Sequence, residues 1–327
     1  MTQCKALTQA RKDFEDLGSV HVHVLQHTLK RLENAFVAMW DRGHGFPRFK
    51  STTRMRSFTY PQLGVKPLKD GAVKLPKIGW IKMRQSRPIP EGFELKQVRI
   101  VRRVSGWYAM LILKLEVDVP DPMPQGQPLG IDLGLEKFLA ASNGKLIARP
   151  KFFVSLQSKL KSLQRKMSKK KKGSNNWKKA CLKVAKLHEH ISNTRKDFHY
   201  KVANQLADEA GMLFAEDLNL KAMSRGMLGK HTLDAGFGQF LSILKFVCWK
   251  KGVYFEKFDP NLTSQICPRC QTITGKKELS ERIHSCKSCG YTTDRDVAAA
   301  QVVQQRGVEA VGHTVQASGG IGLGRSL

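Results

Sequence analysis

No apolar run in the chain approaches the roughly 20 residues that a membrane-crossing helix needs, and none interrupts the opening stretch MTQCKALTQARKDFEDLG. That stretch also lacks the apolar centre and small-residue cleavage site of a secretion leader, so a cytoplasmic protein without a membrane partner is expected. Acidic residues are scarce: 27 against 56 Lys and Arg in 327 residues, a formal charge of +29. Solubility alone does not require so one-sided an excess. It suits a polyanionic partner, nucleic acid first, rather than a small-molecule substrate. Cysteine is not arranged for disulfides. Seven is an odd number, and four of them form two Cys-x-x-Cys pairs, which points to metal in a reducing compartment. Cys4, Cys181 and Cys248 read as ordinary thiols. No internal repeat is found.

The positive charge is clustered. Residues 159–179 hold ten Lys or Arg and no acid, including Lys169, Lys170, Lys171 and Lys172, with Lys178 and Lys179 closing the block. Such a block confers salt-sensitive affinity for phosphates without sequence specificity. Arg48 and Lys50 join these residues as candidate nucleic-acid contacts.

Periodicity divides the chain. Leu25, Leu29, Leu32, Phe36 and Met39 recur at helical spacing, giving a helical segment over 1–44 that ends near Gly43. Residues 45–119 carry Gly and Pro punctuation between short β-type runs such as 97–101 and 107–115, which reads as a small β-barrel or sheet. Closely spaced prolines make 120–127 a linker. Three strands then follow in hairpin succession (129–132, 137–141, 146–148), with long helices, a strand over 212–216, a helix over 238–250 and a strand over 253–258. This is the element order of an α/β, RNase H-like domain. It would span 128–259, resume with a last helix over 293–307, and be interrupted by a cysteine segment over 260–292. The Gly-rich stretch 308–327 reads as a disordered tail.

Cys267 and Cys270 are separated from Cys286 and Cys289 by 15 residues, the two-knuckle spacing of a zinc ribbon. Four thiolates close the tetrahedron and leave no open position, so the zinc would be structural. His284 reads as a surface residue of the ribbon. Carboxylates supply the second constellation: Asp132 ends the first strand, Glu216 ends a later one, and Asp296 opens the last helix behind Asp294, a good helix cap. Three acids converging in one cleft call for cations, Mg2+ or Mn2+, and a pair of such ions suits phosphodiester hydrolysis.

Taken in order, Gly45 to Lys50, Leu75 to Gly79, Gly130 to Gly134, Glu216 to Asn219, Thr263 to Cys270, Cys286 to Gly290 and Asp294 to Asp296 resemble the TnpB (OrfB) proteins of bacterial insertion sequences. These are relatives of the type V CRISPR effectors. The resemblance implies an RNA-guided DNA endonuclease of RuvC architecture with an inserted zinc ribbon. Its partners would be a guide RNA from the transposon end and target DNA, and its location bacterial and nucleoid-associated when bound. It maps Asp132, Glu216 and Asp296 onto the family's catalytic acids, the first helix onto the recognition lobe, and 45–119 onto a wedge-like domain that helps bind guide RNA. Two departures stand out. Relatives begin with a further strand and helical segment, so a barrel here would lack its first strand, and Ala298 replaces an Asn of the final motif. The alternatives are a nuclease-impaired or truncated guided binding protein and, behind it, a strand-joining transposase, for which no tyrosine or serine recombinase signature is present.

Overall fold

Strand-forming runs interrupted by Gly and Pro in the first third of the chain give way to apolar strands alternating with helices in the rest. The computed structural model follows that change. It describes residues 2–312 apart from 52, 53, 65, 66, 70 and 279, in two compact units that divide between Asp118 and Val119.

The first unit opens with α1 (Thr2–Asp13), α2 (Glu15–Ser19) and α3 (Val22–Arg42). Helix α3 stops at Gly43, whose φ of 62° is a left-handed conformation that glycine adopts without strain. Six strands follow: β1 (Ser57–Tyr60), β2 (Leu68–Lys69), β3 (Ala72–Leu75), β4 (Gly79–Lys82), β5 (Glu94–Arg103) and β6 (Gly106–Lys114). They form two antiparallel three-stranded sheets, ordered β1-β5-β6 and β2-β3-β4. Tyr60, Val73, Leu75, Val98 and Ile100 from both sheets share one small core, against which Val24 of α3 packs.

Residues 115–127 carry no helix or strand. The second unit begins with β7 (Pro128–Asp132), β8 (Lys137–Ala141) and β9 (Leu146–Ala148), followed by α4 (Gln157–Ser168) and α5 (Asn175–Glu209). Then come β10 (Met212–Glu216), α6 (Leu220–Arg225), α7 (Gly229–Ala235), α8 (Phe237–Lys251), β11 (Tyr254–Phe258), the hairpin β12 (Ile283–Ser285) with β13 (Thr292–Asp294), and α9 (Arg295–Ala310). One five-stranded sheet, ordered β11-β10-β7-β8-β9, organises the unit. Strands β11, β10 and β7 are parallel, while β8 is antiparallel to both of its neighbours, β7 and β9.

The two-residue period of a strand decides what each face meets. On one face Leu129, Ile131, Leu213 and Ala215 pack with Leu206 of α5 and Phe240 and Leu244 of α8. On the other, Met212 and Phe214 meet Val303 of α9. Two glycines let α9 lie against the strands: a Cβ on Gly130 would fall 2.1 Å from the carbonyl oxygen of Ala300, and one on Gly307 would fall 2.2 Å from the Phe214 ring. Helix α9 runs to Ala310, past residue 307 where the sequence pattern ends it. Residues 313–327 of the expected tail lie outside the described residues. No helix among the described residues is long and apolar enough to cross a membrane.

Candidate functional site

Strand parity carries Asp132 and Glu216 to the same side of the sheet. Asp132 is two residues beyond Gly130, which faces α9, and Glu216 two beyond Phe214, which also does. The parallel register pairs Ala215 with Ile131, so the next residue on each strand leaves the sheet at the same carboxyl edge, where ligands of such sheets are bound. Asp296 stands one helical turn before Ala300, the residue that covers Gly130, and so reaches that edge from above. Three acids distant in sequence are thereby drawn into one electrostatic cluster.

Their ionisation is mutually opposed. Burial, then the charges of Glu216 and Asp296, push the Asp132 carboxyl well above its ordinary value, although part of its surface stays open. Glu216 is 8% exposed and is raised by burial, with the Thr263 hydroxyl and Arg306 pulling the other way. Asp296 is raised by burial and then by Asp294, against Lys137, Arg282 and Arg295. Carboxyl groups that resist ionising beside one another form a donor set that suits a hard divalent cation.

Neighbouring groups fix the acids. The buried Thr263 hydroxyl lies 2.5 Å from Glu216 Oε1 and 3.0 Å from the carbonyl oxygen of Pro260, so the shorter contact takes its proton. Asp294 caps α9, its Oδ1 accepting from the amides of Asp296 at 3.0 Å and Val297 at 3.4 Å. Its other oxygen is ion-paired with Lys137 at the start of β8. Burial raises the Asp294 carboxyl, but the bonds from Lys137 and the two amides outweigh this and leave it below its ordinary value. Sequence reasoning identified the cap and missed Thr263 and Lys137 as partners. Thr263 sits in a quoted motif without a role, and nothing local to Lys137 marks it.

The four cysteines Cys267, Cys270, Cys286 and Cys289 converge, all sulfurs within 4.8 Å of one another. Cys267 Sγ to Cys289 Sγ and Cys270 Sγ to Cys286 Sγ are each 3.6 Å. A disulfide would bring the sulfurs to about 2.05 Å, whereas four thiolates about 2.3 Å from one zinc stand about 3.8 Å apart. The donor set and spacing therefore fit zinc. The two knuckles are built alike: Gln271 donates its amide to the Cys267 carbonyl and Gly290 to that of Cys286, each at 2.9 Å. Both residues have positive φ, 62° and 71°. His284 corrects the expectation of a surface residue. It is fully buried, with Nδ1 2.7 Å from Lys277 Nζ, because β12 turns it beneath the hairpin towards a lysine that also donates to the Ser264 carbonyl.

The basic candidates separate. Lys169, Lys170 and Lys179 line a cavity of about 460 Å³ between α4 and α5, together with Lys166 and Lys183, which the sequence reading did not single out. Lys171, Lys172 and Lys178 do not line it, although all eight of these lysines are exposed. Arg48 and Lys50 are exposed in a stretch without helix or strand in the first unit.

Fold and site together define a mixed α/β protein with a four-cysteine cluster that fits a metal, a partly buried acidic cluster and lysine-rich helices. Comparison with known proteins gives the family. The OrfB profile described as "Probable transposase" matches residues 112–227, and one described as "Cas12f1-like, TNB domain" matches 237–303. The Escherichia coli (strain K12) protein named "Putative RNA-guided DNA endonuclease InsQ" is 32% identical over 312 residues, covering 90% of this chain and 75% of its own. A Streptomyces pristinaespiralis protein of the same designation, without the InsQ suffix, is 32% identical over 314 residues, 93% of this chain and 77% of its own. A TnpB-like protein of Acanthamoeba polyphaga mimivirus is 28% identical over 134 residues, 38% of this chain and 25% of its own. The chain belongs to the TnpB (OrfB) family, which is related to the type V effectors.

Proposed function

We propose that this protein is a transposon-encoded, RNA-guided DNA endonuclease that hydrolyses phosphodiester bonds at Asp132, Glu216 and Asp296. The observation that carries the reading is the convergence of these three acids, each from a different element, at the carboxyl edge of a parallel strand pair, where the charges of Glu216 and Asp296 both act on Asp132. On this reading the second unit is an RNase H-like (RuvC) nuclease domain, residues 128–259 and 293–307, with residues 260–292 as a zinc ribbon. The first unit comprises a recognition-lobe helical segment (1–44) and a wedge-like β domain (45–119). The relatives named as RNA-guided DNA endonucleases support guide RNA and target DNA as partners, with the RNA drawn from the transposon end. The lysines between α4 and α5, with Arg48 and Lys50, would contact phosphates.

Asp132, Glu216 and Asp296 would hold Mg2+ or Mn2+, which supplies an activated water and charge stabilisation at the leaving oxygen. The protein's own part is geometric and electrostatic. Asp132 and Glu216 are held by adjacent strands, so their spacing is set by the sheet. Asp296 is set by the helix cap. Burial keeps bulk water from screening their charge. A second reading, guided binding without cutting, draws on Ala298. That position is 2% exposed and offers no polar group beside Asp296 where the family motif carries Asn.

The test is to co-express the chain with candidate transposon-end sequence, sequence the RNA that co-purifies, and assay Mg2+-dependent cutting of a plasmid matched to it. Asp132→Ala should abolish cutting and leave DNA association within about tenfold. Equal loss of both would remove the catalytic assignment. RNA bound without cutting by the wild type would favour the second reading.

A further inference from the structure

The segment carrying the cysteines leaves the sheet after β11 and returns through β13, and each of its ends touches one acid of the cluster. At the outgoing end Thr263, 4% exposed, donates to Glu216 Oε1 at 2.5 Å. At the returning end Asp294 caps the helix that carries Asp296 and is gripped by Lys137 of β8. A second ion pair of opposite sense, Arg282 with Glu136 at 2.6 Å, ties the same part of the segment to the residue before Lys137. Arg295 adds bonds to the carbonyls of Glu278, at 2.7 Å, and Glu281, at 3.3 Å.

We propose that Thr263 and Lys137 are positioning residues for the carboxylate cluster, acting from opposite ends of the cysteine segment: Thr263 through Glu216, and Lys137 through Asp294 on Asp296. This rests on the reading of the three acids as a metal-holding nuclease site. The physical case is that like charges packed together repel and drift to whatever rotamer separates them. A ligand shell keeps its geometry only where outer partners hold each carboxylate, and loss of such partners weakens metal binding by about 10- to 100-fold. Lys137 is the lone ion-pair partner recorded for Asp294 among the described residues.

The probe is Mn2+ alone, titrated into the full chain and followed by electron paramagnetic resonance, with thermal midpoint and zinc content as controls on folding. Thr263→Val, which keeps shape and loses the hydroxyl, should weaken Mn2+ binding by about tenfold, and Thr263→Ser should stay within about twofold of wild type. Lys137→Gln and Asp294→Asn should each weaken it by about the same factor, since Asn retains the capping oxygen but not the charge. The double variant should bind no more weakly than either single, because both remove one contact. Wild-type affinity in Thr263→Val and Lys137→Gln would overturn the proposal, as would additive losses in the double variant. Asp132→Ala separates the two readings. If it leaves Mn2+ binding intact, the acids are not the metal site and the nuclease assignment fails; if it abolishes binding while the positioning variants do not weaken it, only the positioning proposal fails. Should Thr263→Val not fold, the Lys137 and Asp294 pair decides, as both side chains are about a quarter exposed.

Discussion

His199 shows how one residue can tie stability to pH without touching the acids. It lies on α5, fully buried, stacked on Phe138 at 5.5 Å with Nε2 3.0 Å from the Ala235 carbonyl. Nε2 therefore carries the proton, and Nδ1 has no hydrogen-bond partner among the described residues. Protonating Nδ1 would place a charge among aromatic rings, and burial depresses the imidazole to about 4, against a smaller pull upward from the Ala235 bond. Between about 6.5 and about 4 the unfolded chain takes up a proton that the folded chain refuses, so stability should fall as pH drops through that window. At pH 5 the loss from this group alone is about 2 kcal/mol. Denaturant titrations at neutral and acid pH should show a shallower acid loss in His199→Phe than in wild type, and identical slopes would dismiss the assignment. His199 carried no signal in the sequence. Its spacing from Val202, Ala203 and Leu206 puts it on the apolar face of α5, but that spacing alone does not show that Phe138 and the Ala235 carbonyl enclose it. The same holds for Thr263 and Lys137, whose partners lie 47 and 157 residues away. The convergence of Asp132, Glu216 and Asp296 was legible because strand ends and helix starts are local signals, and the meeting of such ends can be inferred from element order.

At the scale of elements, the cysteine segment differs from everything around it. None of the four hydrophobic clusters among the described residues draws a buried member from between β11 and α9. The buried residues there are Thr263, Cys267, Pro268, His284 and Cys286 among the described residues, so the segment has almost no apolar core of its own, and four thiolates on one metal would be its main support. Cys267→Ser should therefore cut zinc content from about one per chain to near zero. It should also raise hydrogen exchange through β12 and β13 while amides of β7 and β10 stay protected. Unchanged protection in the hairpin would show that zinc is not its support. The Cys-x-x-Cys spacing made this element readable in advance, since ligand geometry is encoded locally. His284 was misjudged because its burial comes from Lys277 and the turn of β12, neither visible in spacing. In the first unit, 1–44 was read as helical and 45–119 as a small β-barrel or sheet, without an order of strands. Its pairing of β1 with β5 across β2, β3 and β4 is a nonlocal choice that alternation cannot decide.

For the whole molecule, a formal charge of +29 raises the question of whether affinity for polyanions reflects net charge or its placement. The cavity between α4 and α5 offers a way to separate the two, because five exposed lysines line it while Lys171, Lys172 and Lys178, exposed like them, do not. Replacing Lys166, Lys170 and Lys179 with Gln removes the same charge as replacing Lys171, Lys172 and Lys178. If placement governs, the first set neutralises ordered phosphates and its loss should lower the salt slope of log K by about two, with a smaller change for the second set. Anisotropy with the co-purified RNA across about 50 to about 300 mM salt reads the slope directly. Affinity at moderate salt should drop by roughly tenfold or more for the cavity set. Equal slopes and equal losses for the two sets would mean that the long-range field of the chain, rather than the α4–α5 cavity, collects the nucleic acid. Released counterions scale with phosphates neutralised at close range, whereas the distant field is already screened beyond about 8 Å at physiological ionic strength, so the cavity lysines should dominate.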